Sequence, residues 1–141
     1  IRIMSDGTPW RPLIHCRDIA AAFIAIMNAP KEAIHNKAIN IGANAENYQV
    51  KDVGDRVQKF VPEAKIVYTN EVGADPRNYR VSFDLLGRLL PDFKLEYTLS
   101  SGMEELYKKF RQHSFNQADF DGDQFVRLRT LKKRLSLVQT Q

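Results

Sequence analysis

The chain has 141 residues, 43% of them hydrophobic and 27% charged, enough to bury the core of one ordinary domain. Cys16 is the sole cysteine, which excludes an internal disulfide and any two-cysteine metal or redox motif, and no apolar run approaches the roughly 20 residues of a membrane helix. The formal charge of +4 is local: Arg127, Arg129, Lys132, Lys133 and Arg134 put +5 into the last eighteen residues without an acid, leaving −1 for the first 123, unlike the groove-wide basic surface of a nucleic-acid binder.

In chain order, Ile1–Met4 and Trp10–Ile14 read as short β-runs around Ser5-Asp6-Gly7-Thr8, whose Asp-Gly pair suits a turn. A hairpin or two nearby strands is expected there. From Asp18 the spacing changes, and Ile19, Ala22, Phe23, Ile26 and Met27 fall on one helical face with Pro30 just beyond. That pattern predicts a largely buried helix, and Cys16 reads as a small buried thiol. Ala38–Ile41 reads as a buried strand stopped at Gly42, and a second helix from about Val50 carries Val53, Val57, Phe60 and Val61 on its apolar face before Pro62.

Lys65–Tyr68 and Tyr79–Phe83 are strand-like, with Gly73-Ala74-Asp75-Pro76 as a loop between them. Ser82 or Asp84 is positioned to cap a short helix bearing Leu85, Leu86, Leu89 and Leu90. A further helix opens at Ser100-Ser101 with Glu104 as capping-box partner, striped by Met103, Leu106, Tyr107 and Phe110. The last segment repeats that design with Phe125, Leu128, Leu131, Leu135 and Val138. Asn116 with Asp119 reads as a helix cap. Asp119-Phe120-Asp121-Gly122-Asp123 is no calcium loop, because Gln124 stands where the glycine belongs and Thr130 where the last glutamate belongs. The alternation predicts a small α/β unit with some parallel pairing. The expected division is 1–115 for the main domain and 116–141 for a basic amphipathic helical extension, read as a plain solvated helix before a membrane-surface or calmodulin-type one.

Three stretches carry a resemblance. Asp6-Gly7-Thr8-Pro9-Trp10-Arg11-Pro12-Leu13-Ile14-His15-Cys16-Arg17-Asp18-Ile19-Ala20, then Ile39-Asn40-Ile41-Gly42, then Asp75 through Asp84 resemble, in order and spacing, the C-terminal part of extended short-chain dehydrogenase/reductase proteins, the NAD-dependent sugar-nucleotide epimerases and dehydratases. The resemblance covers most of residues 1–107. It implies the smaller substrate-binding subdomain, which closes over a nucleoside diphosphate sugar, with NAD held by an N-terminal Rossmann domain. The glycine-rich strand-to-helix turn of that domain is not in this sequence, and none of the five tyrosines is followed four residues later by the lysine of the family's Tyr-x-x-x-Lys pair. The expectation is a fragment of a cytoplasmic enzyme that binds no cofactor and turns over no substrate by itself. A missing Rossmann domain would be its partner, with self-association through the apolar face left bare; the alternatives are a non-catalytic sugar-nucleotide-binding module and, behind it, a nucleic-acid binder acting through the basic tail.

The site chemistry follows from the ligand. Phosphate oxygens are met two at a time by a planar guanidinium fork. Arg11 and Arg77 suit that work, each beside a proline that restricts the backbone. The resemblance implies diphosphate contact by Arg11 and Tyr79, and Arg77 is the third candidate, although the family often carries its second arginine slightly earlier in this loop. The competing readings are a surface Arg11 stacked on Trp10 and a Tyr79 packed in a strand. His15 reads as a packed or hydrogen-bonded residue, His35 and His113 as surface residues.

Overall fold

The computed structural model describes residues 1–69 and 76–138, so Gly73, Ala74 and Asp75 of the expected loop, and the Val138 side chain, lie outside the described residues. The chain forms two compact units, Ile1–Glu105 and Leu106–Gln141. The boundary lies upstream of the 115/116 division read from sequence. The reason is aromatic: Phe115 stacks on Phe110 at 4.5 Å and meets Phe125 edge-on at 5.1 Å, grouping residues on both sides of 115 in one cluster.

In the first unit, strand β1 (Arg2–Ile3) pairs in parallel with β4 (Val67–Tyr68), and β2 (Trp10–Pro12) pairs antiparallel with β3 (Asn47–Gln49). The expected hairpin between the first two runs does not form; they enter different two-stranded sheets. The turn between them is tied elsewhere. Asp6 Oδ1 accepts the Thr8 N–H at 2.9 Å, Gly7 takes φ +82°, a region glycine enters freely, and its carbonyl accepts the Lys51 N–H at 2.9 Å. The turn is thereby fastened to the first turn of α3 (Val50–Phe60). That helix starts where the sequence predicts, with Gln49 and Asp52 capping each other, and packs on β1 through Gly54, where an added Cβ would lie 3.1 Å from the Ile3 Cδ1.

Helix α1 (Cys16–Met27) begins earlier than its apolar spacing, capped by His15, whose Nδ1 accepts the Arg17 N–H at 3.2 Å. The expectation of a largely buried helix is corrected. Only Asp18 and Ala22 are buried, while Phe23, Ile24 and Met27 are 58%, 61% and 81% exposed, and Cys16 is also exposed. The helix rests on the unit along the narrow Asp18 and Ala22 line, which leaves its broader apolar side outward. A single helical turn, α2 (Lys31–Ile34), follows.

Neither Ala38–Ile41 nor Tyr79–Phe83 is a strand. Side chains replace the ladder: Asn40, Asn44 and Asn47 take the main-chain groups of residues 81–83. Helix α4 (Asp84–Leu89) has Phe83 at its cap position with no side-chain cap bond of its own, and the Ser82 hydroxyl, one residue earlier, accepts the Asp84 N–H at 3.4 Å. Helix α5 (Leu99–Gln112) opens one residue before the predicted start. Its reciprocal bonds join Thr98 and Ser101, at 3.2 Å and 2.9 Å, and Glu104 is not the capping partner. Ile3, Ala22, Phe83 and Leu86 are the buried apolar residues among those described. Each large one contributes about 1.5–3 kcal/mol, a thin core that leaves much of the ordering to polar ties.

In the second unit, α6 (Gln117–Asp121) carries the predicted Asn116 and Asp119 cap, with the Asn116 N–H on Asp119 Oδ2 at 3.0 Å. Phe125 sits in a short 3-10 turn ahead of α7 (Arg127–Val138) and so off that helix's stripe, while Leu128, Leu131 and Leu135 on α7 are exposed.

Candidate anion-binding site

Strand β2 holds Arg11 by pairing it with Tyr48 of β3. Against this strand lies the run 76–83, outside any helix or strand, which brings the Arg77 main chain and Tyr79 to it. The Trp10 N–H donates to Asn78 Oδ1 at 2.9 Å, and the Tyr79 N–H reaches the Trp10 carbonyl at 3.5 Å. Arg11 Nη1 donates to the Trp10 carbonyl at 2.7 Å and also to the Arg77 carbonyl. Its guanidinium carbon stands 5.6 Å from the centre of the Tyr79 ring, within cation–π range. Arg11 therefore meets the Arg77 main chain and the Tyr79 ring, which lie 66 and 68 positions beyond it in sequence.

The alternative geometry for Arg11, stacked on Trp10, is taken by a residue the sequence reading passed over. Arg80 lies over the Trp10 ring at 4.6 Å. Arg77, Asn78, Tyr79 and Arg80 are all exposed, and the guanidiniums of Arg11 and Arg80 lie over the Tyr79 and Trp10 rings. Arg11 also lines an open groove of about 440 Å³ whose walls are apolar, with Ile3, Met4, Val50, Val53 and Val57. A cationic rim beside an apolar trough suits a ligand with a charged end and a flat or apolar end.

The segment carrying Tyr79 is positioned by asparagines. Asn47, 7% exposed, accepts the Val81 N–H at 2.9 Å and donates to the Val81 carbonyl at 3.0 Å. Asn44 accepts the Phe83 N–H at 2.8 Å and donates to Asp84 at 2.6 Å. That bond, followed by one from the Ser82 hydroxyl, holds the Asp84 carboxyl below its usual range. No periodicity marks these residues in the sequence; an unexplained cluster of Asn40, Asn44 and Asn47 was the only signal.

A second polar cluster was also missed. Asp18 accepts from the Glu96 and Tyr97 main chain, His15 stacks on Tyr97 with ring centres 3.9 Å apart, and Arg17 donates to the Tyr97 hydroxyl at 2.7 Å and pairs with Glu105 at 3.0 Å. The Tyr97 hydroxyl, then Glu105, raises the Arg17 pKa. His15 is thus stacked and hydrogen-bonded, and the cluster ties the start of α1 to the start of α5. His35 and His113 are exposed.

The fold is that of a partial α/β domain. Residues 1–42 match the NAD dependent epimerase/dehydratase family, so the segment containing Arg11 carries that family's pattern. Comparison with curated proteins finds no significant match. Among solved structures, the chain is similar to a UDP-glucuronic acid 4-epimerase from Bacillus cereus, in complex with UDP-glucuronic acid and NAD, at 23% identity and TM-score 0.66, covering 79% of this chain and 35% of that one. It is similar to an L-threonine dehydrogenase from Phytophthora infestans at 15% identity and TM-score 0.67, covering 79% and 36%. An NAD-dependent NDP-hexosamine 5,6-dehydratase involved in tunicamycin biosynthesis gives 17% identity and TM-score 0.65, covering 79% and 35%. The chain thus spans about a third of the length of the structures it matches. Among the described residues no helix is long and apolar enough to cross a membrane.

Proposed function

We propose that this chain is the substrate-holding C-terminal part of an NAD-dependent sugar-nucleotide epimerase or dehydratase, and that Arg11, Arg77 and Tyr79 grip the diphosphate of a nucleoside diphosphate sugar. The observation that carries the reading is the meeting of Arg11, which also lines an apolar groove, with Tyr79 and the Arg77 main chain. The shared fold alone does not choose a substrate, since a threonine dehydrogenase has it as well. The Arg11 and Arg80 guanidiniums favour an anionic one. Two carbonyls hold the Arg11 guanidinium plane in orientation, and a pre-oriented fork loses less entropy on meeting phosphate oxygens than a mobile one.

NAD belongs, in this reading, to the rest of the enzyme. Its pyrophosphate needs free N–H groups at a helix start behind a glycine-rich turn, whereas α3 follows β3 without a glycine and its N-terminal donors are engaged by Gln49 and Asp52, and α1 is capped by His15. These residues do not fit the cofactor. This chain binds and orients the substrate, and the hydride step lies outside it. The outward face of α1 supports the same division, as the surface on which the remaining domain would pack.

Calorimetric titration of the chain with UDP-glucuronic acid, UDP, inorganic pyrophosphate and NAD tests the proposal. The expected result is salt-sensitive binding of the UDP compounds, competition by pyrophosphate and no NAD binding. Micromolar NAD affinity, or diphosphate affinity indifferent to salt, would overturn it.

A further inference from the structure

Residues 81–83 belong to no strand and no sheet, so their polar groups need partners from elsewhere. Asn47 supplies two of them. Its Oδ1 accepts the Val81 N–H at 2.9 Å and its Nδ2 donates to the Val81 carbonyl at 3.0 Å, the same exchange that two directly opposed residues make in an antiparallel ladder. The second Nδ2 hydrogen goes to the Asn44 carbonyl at 3.1 Å, so both amide hydrogens are used. The Asn47 main chain is meanwhile the β-partner of Pro12, the residue after Arg11. One buried side chain thus links the strand that bears Arg11 to the residue two places beyond Tyr79.

We infer that Asn47 is a positioning residue that sets Tyr79 over the Arg11 guanidinium, acting as a one-residue surrogate strand. The inference deepens the proposed anion site and rests on that reading only for its effect on ligand. Aspartate has the same shape but can keep only the acceptor bond: its carboxylate would face the Val81 and Asn44 carbonyls with no hydrogen to offer. The run would lift, and Arg80 would leave the Trp10 ring. Trp10 is the only tryptophan, so its emission reports this event without a ligand.

Three measurements on the chain test this. In the wild type, amide exchange by NMR should find the Val81 and Phe83 N–H groups protected by about tenfold or more over unstructured peptide. Asn47→Asp should increase acrylamide quenching of Trp10 and weaken UDP-glucuronic acid about tenfold. Asp18→Asn, which weakens the fold at a distance from this run, should change neither, separating positioning from general destabilisation. Exchange at Val81 and Phe83 as fast as in unstructured peptide overturns the inference, as does a folded Asn47→Asp with unaltered Trp10 quenching. If Asn47→Asp does not fold, exchange in the wild type decides alone. If wild type takes up no UDP compound, the anion-site reading fails while exchange and quenching still judge Asn47.

Discussion

Asp18 and Tyr97, 79 positions apart in sequence, are joined by a hydrogen bond of 3.1 Å from the Tyr97 N–H to a carboxylate that is 2% exposed. The other carboxylate oxygen accepts the Glu96 N–H at 2.9 Å. Bonds to a charged acceptor are the strong kind, and truncation would strand two donors away from water. Asp18→Ala should therefore cost about 3 kcal/mol in urea unfolding, and Asp18→Asn less, since an amide oxygen can keep one of the two bonds. A variant as stable as wild type would show the tie to be dispensable.

Two glycines should answer the same substitution with opposite signs. A Cβ on Gly42 would lie 2.5 Å from Phe83 Cε1, and Phe83 is part of the buried core. Gly42→Ala is expected to destabilise by about 1–3 kcal/mol through overpacking. At Gly87, inside α4, nothing lies within 4 Å of the added Cβ, so Gly87→Ala should stabilise by roughly 0.5–1 kcal/mol. Thermal unfolding of the two variants side by side checks both signs.

Tyr48 governs an alkaline window. Burial, then the charge of Glu46 and a hydrogen bond to it, raises its pKa, against the opposing pull of Arg56, whose guanidinium lies 4.8 Å from the ring centre. The fold favours the neutral phenol. The associated stability is complete below the unfolded value of about 10 and is lost as pH climbs from there through the raised folded value. Tyr48→Phe should flatten the decline in unfolding midpoint above pH 10; an unchanged decline would assign it to other groups.

How much was legible in the sequence depended on where backbone groups found their partners. Helices α3 and α7 announced themselves because their own apolar spacing sets them, and Asn116 with Asp119 because a cap is a local device. Ala38–Ile41 and Tyr79–Phe83 have strand composition but are not strands; the main chain of 81–83 is satisfied by the amides of Asn40, Asn44 and Asn47, and no local pattern encodes that. The outward Phe23 and Met27 of α1 could not be told from core residues, because periodicity finds an apolar face without saying what covers it. Arg11 and Arg77 were legible as arginines beside prolines and Tyr79 through the resemblance; Asn47, Asn78 and Arg80, which lie around them, were not.

The α1 face leads to a solution prediction. Phe23, Ile24 and Met27 on one helix form the kind of apolar surface that marks an association site. The chain should bind an apolar-surface dye and scatter light in a concentration-dependent way. Phe23→Ser with Met27→Ser should reduce both, while stability changes by no more than about 0.5 kcal/mol per exposed site. Undiminished dye binding would place the association surface elsewhere.

The most direct test of the central claim is titration of wild type, Arg11→Lys and Arg11→Ala with a UDP-sugar at low and high salt, beside thermal unfolding. Lysine keeps the charge but loses the fork, and alanine loses both. Losing a charge-assisted bond costs about 1.5–3 kcal/mol, a factor of roughly ten to a hundred in affinity. The account predicts the order wild type, then Arg11→Lys, then Arg11→Ala, with the gap narrowing as salt rises. Equal affinities for all three proteins, with the loss confined to unfolding temperature, would contradict it and leave Arg11 as no more than the latch on the Arg77 carbonyl.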